Sequence, residues 1–193
     1  MRKIVFDIET RNIFSDVGGD MLGLDISLLA IHDSETDEYS SYLQEDFHKL
    51  WPILENADML IGFNSDHFDI PILNKYYPGD LAKIKSLDIL KEVKKASGKR
   101  YKLDNFAEAT LGESKSAHGL QAVEWWKEGK IELIREYCIQ DVKVTKGIYD
   151  FAMRHGKLKY KDYGEIREME IDTSDWEKLD DEDSEGMTHT LPF

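Results

Sequence analysis

Two acidic side chains near the N-terminus, Asp7 and Glu9, have the type and spacing that suit metal-dependent hydrolysis. They lie in Phe6-Asp7-Ile8-Glu9-Thr10, where apolar and polar residues alternate as they do in a buried strand. Alternate strand residues point to the same face, so the two carboxylates would lie about 7 Å apart at the backbone. Two carboxylates this close repel each other unless a cation lies between them. An acidic pair on an exposed strand, without chemistry, is the simpler alternative.

Two further groups of polar residues occur later in the chain. Residues 64–69 join a short apolar strand to a helix, and Pro71 early in that helix places Asp69 in its first turn. An aspartate at this position can also serve only to stabilise the helix N-terminus. Tyr137 and Asp141 are four residues apart and share one face of a predicted long helix. A buried structural Tyr–Asp pair is the alternative there.

The elements that would position these residues follow from hydrophobic periodicity. Alternation over residues 2–9, 26–32 and 38–43 predicts an antiparallel meander of three strands. Helical spacing over 45–57, followed by the short apolar strand 59–63, predicts a crossover that returns to the sheet. Helical periodicity continues over 68–76, 87–96, 102–111, 120–127 and 131–153. The predicted fold class is therefore α/β, with helices layered on a sheet.

Length and composition indicate one catalytic domain followed by a tail. The chain has 193 residues and 41% hydrophobic content, which is enough for one well-packed core. Residues 161–193 contain 3 basic and 12 acidic residues and few core-forming ones. We therefore predict a catalytic domain over 1–160 and a flexible acidic tail over 161–193. The single cysteine, the lack of a membrane-length apolar run and the lack of a recognisable targeting signal predict an intracellular, cytoplasmic protein without a membrane partner.

The net charge of −14 argues at first sight against a nucleic-acid partner, because backbone phosphates attract lysine and arginine. Without the tail, however, 22 basic residues face 27 acidic ones, which leaves −5. Four carboxylates holding two divalent ions would bring the domain close to neutrality. Residues 83–115 also carry nine basic and five acidic residues. This stretch is either a phosphate-binding surface or a solvated helix face.

Taken together, the three groups resemble the three motifs of the DEDD exonuclease superfamily. The resemblance is closest to the tyrosine-type proofreading exonuclease domain of family-B DNA polymerases and its stand-alone relatives, and it covers roughly residues 1–160. Glu136 stands where the related subfamily has a histidine, which favours the tyrosine branch. The matching residues are Phe6, Asp7, Ile8, Glu9 and Thr10 in the first motif, Asn64, Phe68, Asp69, Pro71 and Leu73 in the second, and Tyr137, Cys138 and Asp141 in the third.

This resemblance implies an RNase H-like fold, in which helices flank a five-stranded mixed sheet whose second strand is antiparallel to the rest. It also implies a two-metal-ion 3′–5′ exonuclease that uses Mg²⁺ or Mn²⁺ and acts on nucleic acid. Asp7 would bridge both ions, Glu9 and Asp141 would complete one metal site, and Asp69 would hold the second ion mainly through water. Tyr137 would hydrogen-bond the attacking water or the scissile phosphate. Residues implied to bind the terminal nucleotide are Thr10, Asn64 and Phe68.

The expected substrate is the 3′ end of single-stranded DNA. An RNA 3′-processing exonuclease is one alternative, since no motif residue recognises a 2′-hydroxyl group and the motifs therefore do not distinguish RNA from DNA. A nuclease-like accessory or binding module of a replication or repair complex is another, although all five motif residues are present. Residues 190–193 resemble the end of short peptides that dock into sliding clamps, and so suggest a replication or repair partner through the tail. They lack the leading glutamine, which favours a frayed terminus.

Overall fold

The protein is described by a computed structural model over residues 1–112 and 119–178, and its centre is a five-stranded sheet. The strands lie in the order β3-β2-β1-β4-β5. β2 is antiparallel to β1 and β3, whereas β4 and β5 run parallel to β1. The predicted mixed sheet with an antiparallel second strand is therefore confirmed. The strands are β1 (Lys3–Thr10), β2 (Ile26–Asp33), β3 (Glu38–Leu43), β4 (Met59–Gly62) and β5 (Ser86–Asp88).

Helices flank this sheet, and the longest of them spans 25 residues. Within the described parts of the chain, none of the helices combines the length and apolar composition needed to cross a membrane. The helices are α1 (Phe47–Glu55), α2 (Asp69–Leu73), α3 (Ile89–Ser97), α4 (Leu103–Phe106), which continues into a π-helical turn (Ala107–Leu111), α5 (Gly119–Lys127) and α6 (Ile131–His155).

The strand β5 differs from the sequence-based prediction, which assigned its last residues to a helix beginning at position 87. With only three residues, β5 is too short to show alternation. Its apolar Leu87 also runs directly into the apolar face of α3. Asp88 ends the strand and caps the helix, since its side chain accepts a hydrogen bond from the Leu90 N–H group.

The two faces of β1 contribute to two separate cores. Ile4, Phe6 and Ile8 pack on the face covered by α1 and α2. Val5 packs on the other face, against residues of α3, α4 and α6. Strand alternation places Asp7 and Glu9 on the same face as Val5, so that both carboxylates lie towards α6. The strand therefore brings apolar side chains to one layer and acidic ones to the other.

A hairpin follows α6 and crosses the predicted domain boundary. Its strands are β6 (Lys157–Asp162) and β7 (Glu165–Glu170), so the boundary between 160 and 161 falls within β6. Beyond it, Ile171 and Trp176 are buried in the core beside α6. The region read as a flexible tail is thus folded as far as residue 178. Residues 179–193, including the clamp-like ending, lie outside the described residues.

The composition of this hairpin explains why sequence reasoning did not find it. Charged residues occupy most of its strand positions, and the short alternation that places Leu158 and Tyr160 between lysines in β6 is not repeated in β7. Its strands are instead joined by cross-strand ion pairs, of which the 2.7 Å contact between Lys157 and Glu168 is an example. An acidic composition that suggested disorder therefore belongs in part to a strand pair.

Candidate active site

Two carboxylates and a thiol meet between β1 and α6. Oxygen atoms of Asp7 and Glu9 and the Cys138 Sγ atom all lie within 4.8 Å of one another. Sγ is 3.6 Å from Asp7 Oδ2 and 3.4 Å from the Asp7 carbonyl oxygen. Burial, followed by the carboxylates of Asp7, Glu9 and Asp141, raises the pKa of the Cys138 thiol. Cys138 is thus a protonated donor in the middle of three acidic side chains.

Asp69 reaches the same strand from the first turn of α2. Its Oδ1 atom accepts a hydrogen bond of 3.2 Å from the N–H group of Ile8, the residue between Asp7 and Glu9. The side chain is buried, and this burial raises the pKa of Asp69 to about 7, with the nearby Asp88 carboxylate adding to the shift. Residues from three distant segments therefore converge at one end of β1, as the motifs predict.

This pKa shift predicts how the metal-free protein depends on pH. The pKa of Asp69 is about 7 in the folded state against 3.8 for an unperturbed aspartate, so the folded state binds the proton more tightly. Stability should therefore fall as the pH rises from about 4 to about 7. Asp69→Asn keeps an acceptor for Ile8 and should melt roughly 5 °C above wild type at pH 8 in EDTA, with a smaller gap at pH 5. Melting curves at both pH values, with the exposed Glu38→Gln as control, test this, and an equal gap at both would contradict it.

The loop that carries Asn64 and Asp66 is fixed by an aspartate that sequence reasoning missed. Asp88 accepts hydrogen bonds from the backbone N–H groups of Asn64 at 2.7 Å and Asp66 at 3.3 Å, besides capping α3. These bonds hold Asn64 at a φ of +68°, a left-handed conformation that asparagine tolerates better than most residues with a side chain. An aspartate just before an apolar helical run is a helix-start signal, and could have identified Asp88 as a cap.

A cleft of about 390 Å³ opens beside Glu9. Thr10 and Phe68, two of the three residues predicted to bind a terminal nucleotide, line it, and the ring of Phe14 lies 6.2 Å from that of Phe68. The hydroxyl group of Thr10 donates to the Asn12 carbonyl oxygen and so supports the turn after β1. The remaining lining residues are mostly apolar: Ile8, Ile13, Leu24, Leu120 and Val123.

Asn64 and Tyr137 occupy other positions around the site. Asn64 is absent from the cleft lining, and its Oδ1 atom accepts a 2.6 Å hydrogen bond from Arg100. Tyr137 is half-buried one helical turn before Asp141 on α6, and its ring meets the edge of Trp125 at 6.1 Å. Helical spacing places Tyr137 and Asp141 on the same side of α6.

The donor atoms suit a hard divalent cation. The carboxylates of Asp7, Glu9, Asp69 and Asp141 offer oxygen ligands, which Mg²⁺ and Mn²⁺ prefer. The raised pKa of the buried Asp69 shows that its charge is poorly solvated by the protein alone, so a cation would stabilise the ionised form. The protonated Cys138 is a weak ligand and does not favour a softer metal. The acidic cluster is accordingly a candidate metal site.

Comparison with known proteins agrees with this fold. A family model of the RNase H superfamily, RNase_H_2, matches residues 4–153. No curated protein sequence matches the chain. Among solved structures, the family B DNA polymerase from the hyperthermophilic archaeon Pyrobaculum calidifontis is similar with a TM-score of 0.61 at 18% identity, over 79% of this chain and 24% of the polymerase chain. The chain thus spans about a quarter of that polymerase's length.

The family match and the five-stranded mixed sheet establish the RNase H-like fold, and the structural likeness agrees with it. The family match covers every predicted site residue. The chain therefore belongs to the RNase_H_2 family of the RNase H superfamily.

Proposed function

We propose that this protein is a metal-dependent 3′–5′ exonuclease that removes nucleotides from the 3′ end of DNA and prefers unpaired ends. The convergence of Asp7, Glu9 and Asp141 around Cys138, with Asp69 bonded to the strand between the first two, carries this proposal. Four buried or half-buried acids from separate segments are costly for folding unless they bind a cation. The RNase H fold of the chain supports a nuclease as the enzyme class.

In this proposal Asp7, Glu9, Asp69 and Asp141 hold two Mg²⁺ or Mn²⁺ ions. When bound, such ions neutralise the charge that builds up on a phosphate during in-line displacement. Asp7 contributes to the site from the sheet, and the hydrogen bond from Cys138 restrains its carboxylate. Tyr137 presents a phenol on the same side of α6 as Asp141, where its O–H group can donate to a phosphate oxygen or orient the attacking water.

The cleft beside Glu9 provides a place for the terminal nucleoside. Its volume of about 390 Å³ and the rings of Phe14 and Phe68 suit a flat base with its sugar. A base that is paired with a second strand cannot enter a cleft of this kind, which favours single-stranded or frayed ends. Water adds to the last phosphorus atom as the bond to the preceding 3′ oxygen breaks. The products are a nucleoside 5′-monophosphate and a strand with a new 3′-hydroxyl group.

A direct assay tests this proposal. DNA and RNA of one sequence, each single-stranded and double-stranded and labelled at the 5′ end, are incubated with Mg²⁺, Mn²⁺ or EDTA. We expect a ladder of stepwise shorter products from single-stranded DNA with either metal, none with EDTA, and none when the 3′ terminus is blocked. Faster shortening of RNA would support the RNA-processing alternative. Binding without shortening of any substrate would reject the exonuclease in favour of an accessory module.

Metal binding should also stabilise the fold. A ligand at 100 times its Kd stabilises the native state by about 2.7 kcal/mol, so Mn²⁺ should raise the melting temperature of wild type by several degrees. Asp7→Asn lacks one predicted ligand and should show a much smaller shift, whereas Asp37→Asn, an equivalent change at an exposed position outside the site, should respond as wild type does. Equal shifts for Asp7→Asn and wild type would place the metal elsewhere.

A further inference from the structure

Three exposed cations lie in the loop between α3 and α4, and we call Lys99, Arg100 and Lys102 the basic rim. Cations close by are already neutralised, as Lys91 is by Asp66 and Lys161 is by Glu108. Among the described residues, no carboxylate forms an ion pair with the three rim residues. In a protein with a net charge of −14, a solvent-facing group of this kind offers a local attraction for anions.

The basic rim is connected to the candidate active site through Arg100. The Arg100 Nη2 atom donates a 2.6 Å hydrogen bond to Asn64 Oδ1. Asn64 begins the loop that leads to Asp69, and Asp88 fixes its backbone. The rim therefore starts beside the segment that delivers one of the four carboxylates.

On its other side the basic rim meets the β6–β7 hairpin. The ring of Tyr101, within the rim loop, lies 4.7 Å from the ring of Tyr160. The Asn105 side chain, in α4 directly after this loop, donates a 2.8 Å hydrogen bond to the Lys161 carbonyl oxygen. These contacts fix the hairpin beside the rim, so that its turn continues the same surface.

The turn of this hairpin carries an aromatic residue that local geometry does not favour. Tyr163 is 94% exposed and has a φ of +48°, and it is followed by Gly164 at +85°. Two-residue turns with positive φ at both positions favour asparagine, aspartate or glycine. Tyr163 therefore contributes neither to the geometry of the turn nor to a core, which points to an external contact for its ring.

We propose that the basic rim and Tyr163 bind the nucleic-acid strand upstream of the scissile bond. The rim cations contact backbone phosphates, and Tyr163 stacks on an unpaired base further from the 3′ end. This inference rests on the proposed exonuclease function, which places the 3′ end at the carboxylates. An acidic peptide would also be attracted to the cations, but it would offer Tyr163 no base on which to stack.

Substrates of two lengths distinguish an effect on this upstream surface from an effect on the catalytic site, because only the longer substrate reaches the surface. We compare kcat/KM for single-stranded DNA of 12 and of 3 nucleotides at 0.05 and 0.2 M salt. The variants are Lys99→Ala with Lys102→Ala, Tyr163→Ala, and Tyr163→Phe, which keeps the ring. The matched control, Lys83→Ala with Arg154→Ala, removes two exposed cations elsewhere.

Loss of the two rim lysines should lower kcat/KM for the 12-mer by roughly tenfold or more at low salt, and affect the 3-mer much less. The slope of log(kcat/KM) against log[salt] for the 12-mer should decrease by about 1.4, which corresponds to two lost contacts at about 0.7 each for single strands. Tyr163→Ala should reduce the 12-mer value by roughly fivefold or more, and Tyr163→Phe should restore it. The control should keep the wild-type slope and length ratio.

Parallel losses for both lengths, or an equal loss in the control, would overturn the upstream surface while leaving the exonuclease intact. If wild type shortens neither substrate, the exonuclease proposal fails by itself. Binding of a fluorescent 12-mer to the same full-length variants, measured by anisotropy, then tests whether the upstream surface binds nucleic acid. Weaker binding by the rim and Tyr163→Ala variants than by the control would support it, and equal binding would reject it.

Discussion

Asp7→Asn is expected to reduce exonuclease activity by roughly 10³-fold or more while leaving the protein folded. Oxygen atoms of Asp7 and Glu9 lie within 4.8 Å of each other and of the Cys138 Sγ atom, and Asp141 lies one helical turn beyond Cys138 on α6. Asparagine has nearly the same volume, and the replacement removes one of several like charges. Without metal, the variant should therefore melt at the same temperature as wild type or higher.

The measurement is kcat/KM on a single-stranded oligonucleotide, together with a melting curve in EDTA. Asp141→Asn should give a loss of similar size, because it removes a proposed ligand that α6 contributes to the same site. Asp37→Asn makes the same chemical change at an exposed position where asparagine tolerates the observed φ of +57°, and should retain activity. Turnover by Asp7→Asn at the wild-type rate would eliminate the site assignment altogether.

Truncation after residue 160 is expected to cause a large loss of stability, whereas truncation after residue 178 should not. The segment between these positions buries Ile171 and Trp176, and the Trp176 ring stacks on Tyr149 at 5.9 Å. Glu177 accepts hydrogen bonds from Lys3 at 2.6 Å and from Tyr149 at 2.5 Å. Loss of a buried tryptophan costs about 3–5 kcal/mol, so the shorter protein should melt roughly 10 °C lower or fail to fold.

Removal of residues 179–193 takes away five acidic residues and no basic ones, which changes the net charge from −14 to −9. Its effect should therefore be electrostatic: tighter binding of single-stranded DNA at low salt, with the wild-type melting temperature. Trp176→Ala in the full chain removes only the ring that packs on Tyr149, and so tests this packing without a truncation. Equal melting temperatures for both truncations would show that residues 161–178 do not contribute to the folding unit.

The sheet could be predicted from sequence because its strands have the patterns that burial demands. β1 alternates apolar and acidic residues, and the apolar run of β4 follows an amphipathic helix. β5 could not be predicted since three residues carry no period. The β6–β7 hairpin was missed for another reason: charged residues occupy most of its strand positions, although Leu158 within it and Ile171 and Trp176 after it are buried in the core.

The candidate site was predictable to the extent that its residues recur at motif spacing. Asp7, Glu9, Asp69 and Asp141 converge as the motifs imply. The supporting interactions depend on tertiary contacts that no local spacing encodes. Asp88 reaches a loop 24 residues earlier in the chain, and Arg100 bonds to Asn64 over 36 residues. Such long-range hydrogen bonds become visible only when the chain is folded.

Because acidic and apolar residues alternate in β1, correct strand pairing is needed both for the core and for the candidate site. A slip of one residue in its pairing with β2 or β4 would turn Asp7 and Glu9 into the apolar layer beneath α1 and expose Phe6 and Ile8 to the acidic face. A misregistered sheet would thus lose its core and the proposed metal site in the same event. Molecules that retain this core in register also retain the carboxylate geometry, so under the proposed function partly misfolded chains should not cleave nucleic acid.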